Sequence, residues 1–181
     1  MILRLFRRRS DFRTIGALYG AIVAQARSAA FYTRYGVPDT VEGRFELIVL
    51  HLVLILSRLG HDEDVGRRLG QQLFDAFCCD MDDNLREMGV GDLAVPKKMR
   101  GFGEAFYGRQ AAYVAAIAAP DQRELEKALA RNIFPGNGSD ANAALLARYT
   151  RAAERQLEAQ DEREMLSGAV AFLNPEGLAY A

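Results

Sequence analysis

A chain of 181 residues, half of them hydrophobic and about a quarter charged, is long enough for one domain with a real core. Its composition is too ordinary for a fibrous or disordered protein. The formal net charge of −1 gives no global electrostatic reason to bind nucleic acid or an anionic membrane.

The opening residues, MILRLFRRRS, lack the apolar stretch of about 7–15 residues that a secretory signal needs. On a helical wheel Ile2, Leu3, Leu5 and Phe6 share one side and Arg4, Arg7 and Arg8 the other, with Arg9 straying among the apolar residues. Residues 1–11 therefore read as a basic tail. It is either an amphipathic helix touching membrane through Arg4, Arg7, Arg8 and Arg9, or a disordered end carrying solvated charge.

Residues 12–168 read as one all-α domain, a compact bundle of about six helices. The first, over 12–33, places Ile15, Leu18, Tyr19, Ile22, Val23 and Ala26 at spacings of three and four. Gly36 and Pro38 break it. Asp39 with Glu42, or Thr40 alone, can cap the next helix. That helix, about 41–59, is apolar on nearly every side over 45–56, as the buried centre of a bundle would be. Its β-branched Ile48, Val49, Val53 and Ile55 make a central strand the competing reading, and the length of the run favours helix. The run is also well short of the roughly 20 residues that cross a bilayer.

The third helix, about 64–88, has Leu73, Phe74, Phe77, Met81, Leu85 and Met88 on its apolar side. Gly89 suits a left-handed cap at its end, and Pro96 suits the first turn of the fourth helix. The fourth, about 96–118, is expected to bury Met99, Phe102, Phe106, Tyr107, Tyr113, Val114 and Ile117. Its opposite face holds Gly101, Ala105, Gly108, Ala112 and Ala119. Glycine inside a helix costs roughly 1 kcal/mol relative to alanine, so this face either packs within the chain or receives a helix of another. Two more helices, about 121–132 and 140–166, flank the loop FPGNGSD, with Ser139 or Asp140 as a cap. Residues 169–181 read as an irregular tail.

Catalytic chemistry is not legible. DMDDN, Asp80 to Asn84, starts like a calcium loop, but Leu85 and Gly91 stand where the loop needs its glycine and closing glutamate. A solvated helix face with an Asp82–Arg86 pair is the better account. His51 and His61 lack partners at metal-ligand spacing, and core packing or a backbone hydrogen bond explains His51. Cys78 and Cys79 diverge by about 100° on a helix, which excludes an ordinary disulfide between them and fits a reducing compartment. No phosphate-binding glycine motif is present. No enzyme, cofactor or metal is expected. Charge does segregate: the stretch from Asp62 to Glu87 is mainly acidic, and that from Val95 to Tyr113 mainly basic. Such a pair can lie antiparallel or offer two signs to a partner.

The segment DMDDNLREMGVGD, followed by VPKKM and FYGR, resembles the ubiquinol–cytochrome c reductase chaperone family. The likeness begins near Phe31 and fades after Arg109. It implies a non-enzymatic assembly factor for the cytochrome bc1 complex, with newly made cytochrome b or another bc1 subunit as client. A small co-chaperone, a ribosome and a membrane surface are candidate further partners, and DNA is not. The implied location is the cytoplasm, or the cytoplasmic face of the inner membrane.

Candidate partner-binding residues are Asp92, Lys97, Lys98, Arg100, Gly101, Ala105, Gly108 and Arg109. Leu85, Met88, Leu93 and Met99 are expected to hold the 89–98 connection against the body, leaving Asp92, Lys97 and Lys98 outward. The rival reading is a helical module that binds a quinone or lipid. It would be favoured by a cavity of several hundred Å3 beside Phe102 and Tyr107.

Overall fold

The computed structural model describes residues 2–60, 64–136 and 140–178, and for residues 2–11 the backbone alone. The described residues form nine helices and no strand. They are α1 (Ile2–Ala26), α2 (Ala29–Thr33), α3 (Val41–Leu59), α4 (Val65–Glu87), α5 (Val95–Ala118), α6 (Gln122–Ile133), α7 (Asp140–Ala159), α8 (Glu162–Leu166) and α9 (Pro175–Leu178). The expected number of about six rises because two long runs break and because α9 forms in the tail expected to be irregular. One breaks after Ala26. The other breaks after Ala159, where Asp161 accepts a hydrogen bond from the Arg163 amide and starts α8 afresh. The expected caps Ser139 and His61's loop lie outside the described residues, as do the side chains of Arg4, Arg7, Arg8 and Arg9.

The apolar run does form the central helix. Thr40, and not Asp39, caps α3 by accepting from the Gly43 amide; Asp39 instead pairs with Arg44. Every residue from Glu46 to Ile55 is buried, because α1, α4, α5, α6 and α7 all pack around α3. Burying a Leu, Ile or Val contributes about 1.5–3 kcal/mol, so this one helix supplies much of the driving force. β-branching is tolerated because packing, and not propensity, decides a helix buried on all sides.

The polar groups around His51 are satisfied in a chain. His51 Nδ1–H donates to the Leu47 carbonyl at 2.7 Å. Its Nε2 accepts from the Tyr149 hydroxyl at 2.8 Å, and Gln25 donates to the same hydroxyl. Complete burial lowers the His51 pKa from 6.5 to about 4, which keeps the ring neutral. At the far end of α5, Arg151 donates to the carbonyls of Ile117 and Ala119, where a cation also suits the negative helix end.

The last described residues form a strap. Gln25 donates to the Leu173 carbonyl at 2.7 Å and the Tyr35 hydroxyl to that of Pro175 at 2.8 Å. Gln160 exchanges two hydrogen bonds with the Ala171 backbone, and Phe172 meets His51 edge-on at 5.2 Å. The tail is irregular apart from the single turn of α9.

Candidate functional site

The turn between α4 and α5 is built by the residues that the sequence singled out. Gly89 takes φ +80°, a conformation that L side chains resist. Its amide bonds back to Arg86 O and that of Val90 to Leu85 O, which together make a Schellman cap. Pro96 lies in the first turn of α5. Arg86 then ties the corner together, pairing with Asp82 one turn back and with Asp92 across the turn.

The apolar residues of the corner divide differently from expectation. Leu85 is buried and Met99 packs on the core, but Met88 is 57% exposed and Leu93 is 99% exposed. The connection is held by its cap hydrogen bonds and by Val95, which is 1% exposed, so Leu93 has nothing left to cover it. Likewise Phe106 and Tyr113 are buried, whereas Tyr107 and Val114 face outward. A helix on the rim of a bundle buries one narrow stripe, and these two fall beside it.

The outward stripe of α5 contains Lys97, Arg100, Gly101, Glu104, Tyr107, Gly108, Ala111 and Val114, all exposed. Lys97, Lys98 and Arg100 have no ion pair among the described residues. A Cβ placed on Gly101 or Gly108 would meet nothing. Packing within the chain therefore does not account for those two glycines. Ala105 and Ala112 are half-buried at the edge of the stripe. The surface is cationic from Lys97 to Arg100, carries Glu104 in its middle, and from Tyr107 to Val114 is uncharged and weakly apolar.

Arg109 does not join it. Its guanidinium reaches inward to Glu46 on α3, with Nε to Oε2 at 2.6 Å and Nη2 to Oε1 at 2.5 Å. Glu46 is 6% exposed. Burial pushes its carboxyl above the ordinary range, although Arg109 acts to lower it. The sequence reading missed this pair. The clue was a carboxylate and a guanidinium each set among residues that turned out to be core.

At the place the rival reading requires, aromatic rings pack against one another. Phe45 and Phe102 are 5.1 Å apart, Phe74 and Phe106 4.6 Å, and Phe74 and Tyr107 5.6 Å. A cleft of about 370 Å3 lies between α1, α4 and α8. A smaller one of about 60 Å3 lies near Leu54 and Leu157.

Among the described residues there is no cluster of metal-ligating side chains, and no helix is long and apolar enough to cross a membrane. Cys78 and Cys79 are both free thiols. Fold and surface together define an all-α protein whose exposed chemistry lies on helix faces. The chain matches the family described as ubiquinol-cytochrome C chaperone over residues 33–172 and belongs to that family, one of chaperones and not of enzymes. The match runs well past Arg109, so the sequence reading had placed the end of the likeness too early.

Two curated relatives are each 25% identical over 150 residues, covering 82% of this chain. One is ubiquinol-cytochrome-c reductase complex assembly factor 1 of Xenopus laevis, of which 74% is covered. The other is the Mus musculus protein of the same description, of which this chain spans half. Among solved structures, the Cbp3 homolog from Brucella abortus is 36% identical, with a TM-score of 0.87. That alignment covers 97% of this chain and 98% of that one.

Proposed function

We propose that this chain is an assembly chaperone for the cytochrome bc1 complex that holds newly made cytochrome b through the outward face of α5. Family membership supports the general role. The observation that carries the finer reading is the exposed stripe from Lys97 to Val114, with its unpaired cations and uncovered glycines. Small residues allow a second helix to approach closely, and free cations orient an acidic flank of that helix more than they tighten it. Met88 and Leu93 extend the apolar part of the surface around the corner. A small co-chaperone and the ribosome are further partners in this scheme. The Arg-rich start of α1 would keep the protein on the cytoplasmic face of the membrane where the client is made.

Deleting the gene should remove assembled bc1 complex and its cytochrome b absorbance while an unrelated respiratory oxidase remains; normal bc1 levels would refute the role. Replacing Asp92, Lys97 and Lys98 together with alanine should weaken capture of cytochrome b at equal protein levels. Undiminished capture by that variant would refute the surface and leave the role standing.

A further inference from the structure

Residues 169–174 cross the bundle without secondary structure and run into the single turn that starts at Pro175. The bonds that hold this strap are uniform in kind. Gln160, just past α7, donates to the Ala171 carbonyl at 2.7 Å and accepts from the Ala171 amide at 2.9 Å. Gln156 adds a donor to the same carbonyl. Gln25 of α1 donates to the Leu173 carbonyl, and the Tyr35 hydroxyl to that of Pro175. The gripped carbonyls thus belong to residues 171, 173 and 175, which is the two-residue repeat of an extended chain.

All of these bonds go to main-chain atoms, which any peptide carries. Side chains matter at two positions: Phe172 stands edge-on to His51 at 5.2 Å, and Pro175 is buried. Val170 and Leu173 are only half-buried, while Ala171, Asn174 and Glu176 are exposed. Main-chain hydrogen bonds for affinity, with a few side-chain contacts for selectivity, are how proteins bind extended peptides. The floor beneath is joined by its own hydrogen bonds, from Gln25 to Tyr149 and from Tyr149 to His51. Lifting the strap frees the outer donors, Gln25, Gln160 and Tyr35, for another chain's carbonyls. A segment held this way opens locally at less cost than the helices under it.

We infer that the groove beneath the strap is a binding site for an extended segment of a partner protein, one with an aromatic residue and a proline three positions later, and that residues 169–177 occupy it in cis until such a segment displaces them. The strap itself displays the ligand's chemistry, with Phe172 and Pro175 as its anchors. Tethering gives the strap a high effective concentration, so it keeps the site closed against weak or distant competitors. No groove residue belongs to α5, so this inference and the client-docking proposal fail separately.

The test follows the fluorescence anisotropy of a labelled peptide of residues 169–177, AVAFLNPEG, added to the full chain. Two variants of the full chain have a loosened strap: Phe172→Ala, which removes its anchor, and Ala171→Pro, which removes the amide bonded to Gln160 at an exposed position. Circular dichroism melts identify which variants are folded, and Ala171→Pro leaves the core untouched. Saturable binding to a folded variant, about tenfold or more tighter than to the parent, supports the inference, because a closed site lowers apparent affinity by its open fraction. N-methylation of the peptide at the position of Ala171 should weaken binding about threefold or more. A second peptide, keeping only the phenylalanine and the proline with serine elsewhere, should bind within about tenfold of the first, since the main chain carries the affinity. The inference is overturned if no binding tighter than about 1 mM appears, if parent and variants bind alike, or if the N-methylated peptide binds undiminished. It is also overturned if the serine peptide fails to bind, because the groove would then fit its own strap alone.

Discussion

Arg109→Ala is the sharpest test of how the central helix is held. The substitution removes both hydrogen bonds to Glu46 and strands a carboxylate whose side chain is only 7% exposed. Breaking a buried ion pair in this way costs about 3–5 kcal/mol, much of it the desolvation of the charge left behind. With a urea slope of about 2 kcal/mol per molar, the unfolding midpoint should fall by roughly 1.5–2.5 M. The pH dependence carries the mechanism. The Glu46 carboxyl is already raised from 4.5 by burial, and without Arg109 it must rise further. A folded pKa raised above the unfolded value gives stability that is present below about pH 4.5 and lost as pH rises through the folded pKa. The deficit of Arg109→Ala relative to the parent should therefore be largest at pH 7 and shrink as pH approaches 4.5. Replacing both residues by leucine should recover most of the loss. Urea melts followed by circular dichroism at both pH values decide it. A deficit below about 1 kcal/mol at pH 7, or one that grows on acidification, would refute the reasoning.

Other consequences are independent of that pair. His51, lowered from 6.5 to about 4, has a depressed folded pKa. It should therefore withdraw about 3 kcal/mol of stability as pH falls from 6.5 to 4, and the corresponding slope should be absent in His51→Gln. Tyr149→Phe leaves His51 Nε2 without its donor and should cost about 1–3 kcal/mol in chemical melts. Gly89→Val places a β-branched residue at φ +80° and should lower stability by about 1–2 kcal/mol, with client capture reduced only in proportion to folded protein. Replacing Arg4, Arg7, Arg8 and Arg9 with glutamine should release the protein from anionic vesicles at low salt, since each basic residue there contributes about 1 kcal/mol. Equal flotation of mutant and parent would show that the tail takes no part.

The helices were legible wherever local chemistry and tertiary packing agree. The range of α3 follows from its apolar run and Thr40. The α4–α5 corner follows from Gly89 and Pro96, whose backbone preferences leave few alternatives. Tyr107, Val114, Met88 and Leu93 were misplaced for one reason: periodicity names an apolar face without saying how wide a strip the neighbours will cover. Arg109 was assigned to a surface because its partner, Glu46, is 63 positions away and stands in a different predicted element. The cleft lined by Arg68 and Arg163 was invisible for the same reason. Its lining residues come from α1, α4 and α8, elements far apart in the sequence.

The strap that crosses from α7 back to α1 and α2 also has a kinetic meaning. Gln25 meets Leu173 across 148 positions, Tyr35 meets Pro175 across 140, and Thr14 meets Ser167 across 153. Contacts of that separation close large loops and form late. While the chain emerges from a ribosome, α1–α6 can collapse on α3, yet the side of His51 that Phe172 covers stays open until about residue 172 has been made. An unfinished chain of this protein would expose the kind of apolar surface that invites wrong partners. The order of synthesis therefore places the closing step of the core after α7 and α8 have been made.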